Sequence, residues 1–270
     1  MQRIPVVRVG DGAAGEASTD DVAVEAPLEI RLDGEPFSVT MRTPGADRDL
    51  AAGFLFSEGI VAASADIVAV HADPSGDVAD VMLTASRSAA VAARRDARRH
   101  VTTTSACGMC GRPDLASTRL TAPPVVLART VDADAIRALP ARLAPRQETF
   151  AATGGLHAAA LCTLDGGIVD TAEDVGRHNA VDKIIGRQLL AGGLPLGDAL
   201  LFVSGRTSFE ILQKAWLAGV PVVAAVSAPS SLAIELAQEA GITLIGFVRG
   251  GRFNIYTHAE RIACAAVPHA

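Results

Sequence analysis

The chain has 270 residues, a formal net charge of −6 from 24 basic and 30 acidic side chains, and 49% apolar residues, while aromatics make up only 4%. That allows one large domain or two modest ones, packed mainly through Ala, Val, Leu and Gly, which suits α/β layers better than an aromatic-rich β-sandwich. The acidic balance excludes bulk binding to nucleic acid, and with no apolar run near the roughly eighteen residues a bilayer demands, no membrane span is expected.

The start, Met1 to Arg8, has no uninterrupted apolar run of signal-peptide length, so a cytoplasmic location is expected. Polar residues around 10–21 read as part of a loose N-terminal arm, residues 1–24. Residues 28–43 alternate apolar and polar side chains around Asp33-Gly34 and predict a hairpin. A helix over 47–58 carries Leu50, Phe54 and Leu55 at helical spacing and stops at Gly59. Strands over 66–71 and 78–84 flank the turn Pro74-Ser75-Gly76-Asp77, and an Ala- and Arg-rich helix follows over 86–99. Its Arg94, Arg95, Arg98 and Arg99 are most simply a solvated face. A polar, Gly-flanked loop over 102–112 then holds Cys107-Gly108-Met109-Cys110, and residues 25–128 are expected to form a β-rich N-terminal domain.

Pro123-Pro124 interrupts regular structure, and short helix signals occupy 132–150. Residues 158–171 predict a second hairpin, around Asp165-Gly166-Gly167. Helix 178–191, strand 199–203, helix 208–218, strand 220–226, helix 230–240 and strand 242–248 complete the chain. That rhythm predicts parallel strands with helices covering the sheet, a three-layer α/β domain over 129–270.

Five segments could carry chemistry. In the CxxC loop a partly exposed thiolate is the reactive species, and Arg112 could favour it. Zinc binding, disulfide exchange, sulfur transport and a pair without a task all remain open for Cys107 and Cys110, although zinc would need further ligands. The lone Cys162 and Cys264 sit in apolar settings and read as inert core. In Glu173 to Lys183, Gly176 opens a turn, Asn179 is a plausible helix cap, and Arg177 and His178 project from a helix N-terminus that favours anions. In Ser204-Gly205-Arg206-Thr207-Ser208, an apolar strand runs into a turn suited to a phosphate, without the spacing or lysine of an ATPase loop. Ser230 or Ser231 can cap the helix after Val226-Ser227-Ala228-Pro229. Arg249 and Arg252 bracket a Gly250-Gly251 turn. Several strand ends thus offer Arg, Ser or Gly, the layout of a site for a large anionic cofactor. His157, beside Gly154-Gly155, either faces a pocket or packs in the core. His258-Ala259-Glu260 matches part of the zinc-deaminase pattern, but no P-C-x-x-C follows, so deamination is unsupported.

Read in order, these segments resemble the FdhD family, the formate dehydrogenase accessory sulfurtransferases, over roughly residues 25–258. The blocks are Ser105 to Gly111, Thr153 to Ala159, Asp174 to Lys183, Ser204-Gly205-Arg206 and Phe247 to Thr257. The resemblance implies a sulfur carrier that takes persulfide sulfur from a cysteine desulfurase on Cys107, the first cysteine of the motif, while Cys110 is expected to assist or resolve. It implies delivery to the molybdenum cofactor in its bis(molybdopterin guanine dinucleotide) form, for formate dehydrogenase. The family's cofactor segment falls on Phe247, Val248, Arg249, Gly250, Gly251 and Arg252, and the anion sites read above at Arg177, His178, Ser204, Gly205 and Arg206 suit the pyrophosphates of such a cofactor. It also implies a C-terminal fold similar to cytidine deaminase without its zinc, and a homodimer. A cofactor-binding chaperone without sulfur transfer is the rival reading, and a zinc hydrolase or deaminase is a third.

Overall fold

A computed structural model of the chain describes residues 1–10, 15–73, 76–96, 120 and 122–263. It opens with β1 (Gln2–Arg8) and β2 (Glu16–Val22), paired antiparallel from Gln2↔Val22 to Arg8↔Glu16. The expected loose arm is therefore a β-ribbon, with Arg3 Nη2 donating to Asp21 at 2.9 Å. Its polar composition misleads because a two-stranded ribbon buries little, and its hydrogen bonds lie in the backbone.

Next come β3 (Ala26–Leu32) and β4 (Glu35–Arg42), α1 (Asp47–Ser57), β5 (Ile67–Ala72), β6 (Val78–Leu83) and α2 (Ala85–Asp96). The four strands form one sheet in the order β4-β3-β6-β5. Asp33 and Gly34 both take positive φ, 52° and 84°, the twist a two-residue hairpin turn requires. Asp33 also accepts from the Leu83 N–H at 2.8 Å, pinning the turn to β6. Leu28, Ile30 and Leu32 alternate onto one buried face and join Leu50 and Leu55 of α1 in the core.

Beyond residue 122 the chain forms β7 (Val131–Asp132), α3 (Ala133–Leu143), α4 (Glu148–Thr153), β8 (His157–Thr163), β9 (Ile168–Asp174) and α5 (Arg177–Leu190). Then follow β10 (Ala199–Val203), α6 (Phe209–Leu217), β11 (Val222–Ala225), α7 (Ser231–Ala240), β12 (Thr243–Arg249), β13 (Arg252–Ile255) and β14 (Ile262–Ala263). Six strands make one sheet in the order β13-β12-β11-β10-β8-β9. β10, β11 and β12 are parallel, as the strand–helix rhythm predicts, while β8, β9 and β13 run antiparallel to their neighbours. Leu161, Leu201, Val223 and Leu244 pack with Ile184 of α5, Leu212 of α6 and Leu236 of α7. Ala160, Phe202 and Ala224 point the other way, onto Ile136 and Leu139 of α3. Helices on both faces of a sheet give the expected three layers.

The two sheets meet through α1 and α5. A Cβ on Gly53 would lie 1.9 Å from Asp182 O, and one on Gly186 would lie 1.8 Å from Asp49 O. Only glycine lets the two backbones approach so closely. Among the described residues, no helix is long and apolar enough to cross a membrane.

Candidate functional site

Strand direction gathers the chemistry-bearing segments at one end of the six-stranded sheet. The parallel strands β10, β11 and β12 all finish there, delivering Ser204-Gly205-Arg206, Ser227 to Ser231, and Phe247 to Arg252. β8 runs the opposite way, so its first residue, His157, sits at that same end, opposite Asp174 at the close of β9. The chain then turns into α5, which begins at Arg177. From β12 to β8 is three strand spacings, about 14 Å.

The ends are tied to one another. Ser204 donates its N–H to Ala158 O and accepts the Ala158 N–H on its Oγ, both at 2.9 Å, which extends the β8–β10 ladder. Thr207 N–H donates to Ala228 O at 3.2 Å, and Ser230 N–H donates to Thr207 O at 3.0 Å. Ser230 caps α7, accepting from the Ala233 N–H. Gly205 is buried between two candidate groups: a Cβ there would stand 3.2 Å from His157 Nδ1 and 3.7 Å from Arg177 Cδ. Burial, and next the Arg177 charge, push the His157 pKa down, so its imidazole is neutral at pH 7. Arg177 Nε is buried with no hydrogen-bond partner among the described residues. Arg206, by contrast, is exposed.

The hairpin from β12 to β13 is irregular where it matters. The ladder shifts register between Gly246 and Arg249, and Phe247 takes φ 55°, a strained value for an aromatic residue. Strain of this kind is held in place by its surroundings and clusters at functional sites. The Arg249 guanidinium lies 5.2 Å from the centre of the Phe247 ring. Gly250 and Gly251, at φ 59° and 72°, make the turn that pairs Arg249 with Arg252.

The first turn of α5 departs from expectation in two ways. Gly176 is the N-cap, and Asn179 lies inside the helix. Its side chain donates to Met41 O at 2.7 Å and to Asp174 Oδ1 at 2.9 Å, so it clamps β4 rather than capping. Lys183 completes that clamp, 2.7 Å from Asp174 and 3.0 Å from Thr43 O. Much of the Asp174–Lys183 block therefore holds the two sheets together. The second departure is His178. Its Nε2 lies 3.0 Å from Ser208 Oγ and 3.0 Å from Glu210 Oε2, on α6, so that nitrogen is engaged within the protein.

A cleft of about 280 Å³ opens beside this turn, bounded by Thr40, Met41, Phe54, Arg177, His178 and Glu210. On its wall, Lys214 donates to both oxygens of buried Asp182, at 2.7 and 2.8 Å, and Ser57 Oγ donates to the same carboxylate at 2.8 Å. Burial pushes the Glu210 carboxyl up to about 7; Lys214 opposes the shift, and Asp182 and Glu58 reinforce it. The strand-end segment reaches Glu210 in sequence, yet its pattern gives that residue no role. Its position as the second residue of a helix, after a Ser/Thr turn, reads as ordinary first-turn acidity until α5 is packed beside it.

Cys107 and Cys110, and also Cys264, lie outside the described residues. Cys162 is buried, with its thiol pushed up to about 12 by burial, which fits an inert core residue.

Comparison with known proteins covers nearly the whole chain. The model of the FdhD/NarQ family matches residues 23–263. A sulfur carrier protein FdhD from Streptomyces coelicolor is 48% identical, over 98% of this chain and 96% of its own length. The same-named proteins of Anaeromyxobacter dehalogenans and Mycobacterium tuberculosis are 48% and 47% identical, over 92% and 90% of this chain and 90% and 92% of theirs. A crystal structure of a candidate formate dehydrogenase accessory protein from Desulfotalea psychrophila superposes with a TM-score of 0.75. It is 23% identical, over 97% of this chain and 99% of that one, which establishes likeness of fold.

Proposed function

Because the chain belongs to the FdhD/NarQ family, we propose that it is a sulfur carrier serving formate dehydrogenase. On this reading Cys107 receives a persulfide sulfur from a cysteine desulfurase, Cys110 assists or resolves, and the sulfur passes to the molybdenum cofactor in its bis(molybdopterin guanine dinucleotide) form. The working unit is a homodimer. The observation that carries the proposal is near full-length likeness to proteins named as sulfur carriers.

The site geometry supports the acceptor half of the reaction. A guanine dinucleotide presents pyrophosphates, and the sheet end offers an Arg177 Nε with no partner among the described residues and the Arg-bracketed hairpin from Phe247 to Arg252. Arg206 is exposed at the same end. Ser204 contributes chiefly by closing the sheet. Redox chemistry belongs to the cofactor, and the protein's task is to position and shield labile sulfur.

The direct test is mass spectrometry of the purified protein after incubation with a cysteine desulfurase and isotopically labelled cysteine. Labelled sulfur is expected on Cys107, and Cys107→Ala is expected to abolish it. Full loading of that variant would defeat the assignment.

A further inference from the structure

We propose that the outer edge of β4 is a docking site for an extended peptide segment of a partner protein, one that brings a basic side chain into the adjoining cleft. Docking of this kind is independent of whether the chain carries sulfur.

Strand β4 ends its sheet, with β3 on one side and no strand on the other. The direction of its backbone groups follows from Glu29, which stands opposite Val39 in the ladder. Glu29 donates its N–H to Asp77 O at 2.7 Å, beside β6, so it exchanges no hydrogen bonds with Val39. The N–H and C=O of Val39 therefore point outward. Met41 agrees: its partner Pro27 has no N–H to give, and its carbonyl accepts instead from Asn179 Nδ2 at 2.7 Å. Among the described residues, neither backbone group of Val39 has a partner on that side.

The cleft runs along this edge rather than over one face. Side chains alternate across a strand, yet the consecutive residues Ser38, Val39, Thr40 and Met41 all border it. Val39 and Met41 are 46% and 37% exposed, while Ser38 and Thr40 are buried. Between Pro36 and Arg42 the strand carries neither charge nor proline, the devices that commonly guard an open edge. The first turn of α5, with Glu210 and Lys214 of α6, forms the far wall of a space of about 280 Å³. A strand added at the usual spacing of about 4.8 Å would lie within it, as in recognition of peptides by strand addition.

Charge selects the occupant. Lys214 is committed to both oxygens of Asp182. The Arg177 side chain leads toward the sheet end, its Cδ 3.7 Å from where a Cβ on Gly205 would stand. Glu25, Glu58 and Glu210 remain on the walls, and Glu25 is exposed with no ion pair among the described residues. Burial, opposed by Lys214, raises the Glu210 carboxyl to about 7, and Asp182 and Glu58 add to the rise, so positive charge is scarce here. A lysine or arginine on a partner segment would supply it. A second copy of this chain would not, because β4 against β4 sets these acids against each other.

The test titrates the full-length protein with fluorescein-labelled, end-capped peptides of about five residues, the length of the open edge. They alternate valine with lysine or with glutamate, and fluorescence polarisation reads binding. The lysine peptide is expected to bind about tenfold more tightly than the glutamate peptide, and to lose about tenfold when its backbone nitrogens are methylated. Val39→Pro keeps the β3–β4 ladder, because the lost N–H points outward, and should weaken binding by about fivefold or more. Glu25→Lys disturbs no described contact and should reduce the preference for lysine by about fivefold. Equal binding of the two peptides, or no binding up to about millimolar concentration, overturns the proposal. Full binding of the methylated peptide also overturns it, because that marks a charged patch without strand pairing. An unchanged preference in Glu25→Lys does the same. A wild-type dimer that Val39→Pro dissociates, read by light scattering, assigns the edge to a second copy and overturns it too.

Discussion

Alanine in place of Gly186 puts a methyl group into the contact between α1 and α5. The new Cβ would stand 1.8 Å from Asp49 O, 2.6 Å from Gly53 N and 2.8 Å from Asp49 C. Ordinary contact begins near 3.5 Å, so the helices must part by about 1.5 Å. The opposing atoms are backbone, and no rotamer change relieves them. Leu50 and Leu55 would move with α1, and with them part of the core that the two sheets share. Overpacking costs about 1–3 kcal/mol, and displacement of a whole helix belongs at the upper end. Alanine offsets about 1 kcal/mol of this through its better helix propensity. The net loss of about 2 kcal/mol should lower Tm by roughly 4–8 °C in a chain of this size. Thermal unfolding of Gly186→Ala measures it, with Gly197→Ala as control, since no atom of the described residues lies within 4 Å of a Cβ there. A Gly186→Ala protein melting at or above the wild type would refute the close-approach argument, because helix propensity would then outweigh any steric cost.

Lys214→Met removes the partner of buried Asp182 and should destabilise by about 3–5 kcal/mol in denaturant titration, because an uncompensated charge stays inside. Glu210 titrates at about 7 in the folded protein against an ordinary 4.5, so between those values the native state holds the extra proton. Stability from this group is therefore full below about 4.5 and declines as pH rises toward 7. Glu210→Gln should abolish that decline and be more stable than wild type above pH 7, by up to about 3 kcal/mol; chemical denaturation across pH reads the difference. Arg252 is exposed, so Arg252→Ala should leave Tm unchanged while weakening the binding of a guanine nucleotide, as followed by calorimetric titration. Unchanged affinity would count against the hairpin as a cofactor contact.

The candidate site was legible in proportion to how local its signals are. Gly250-Gly251 between two arginines marked a hairpin, and the hairpin is there, but nothing in those residues foretold the bulge or the strained φ of Phe247. Ser230 was readable as a cap because capping acts within one turn. Asn179 departs from its expected capping role for the complementary reason: its partners include Met41 O, which is distant in sequence. His178 pointed to an anion site as part of a helix N-terminus, whereas packing of α6 against α5 gives it a carboxylate and a hydroxyl.

The sequence by itself determined the alternation of β10, α6, β11, α7 and β12, the turn at Asp33-Gly34 and the stop at Gly59, because periodicity, turn chemistry and caps act over a few residues. Its blocks also carried the family resemblance. Tertiary structure alone decided the pairing of the polar ribbon, the Gly53–Gly186 approach, the Lys214–Asp182 pair and the joining of His178 to Glu210. Each of these depends on which distant backbones meet and on how much water is excluded where they do. Burial and distance across packed elements set the charge state of Glu210, and neither can be read from a residue and its neighbours in the chain.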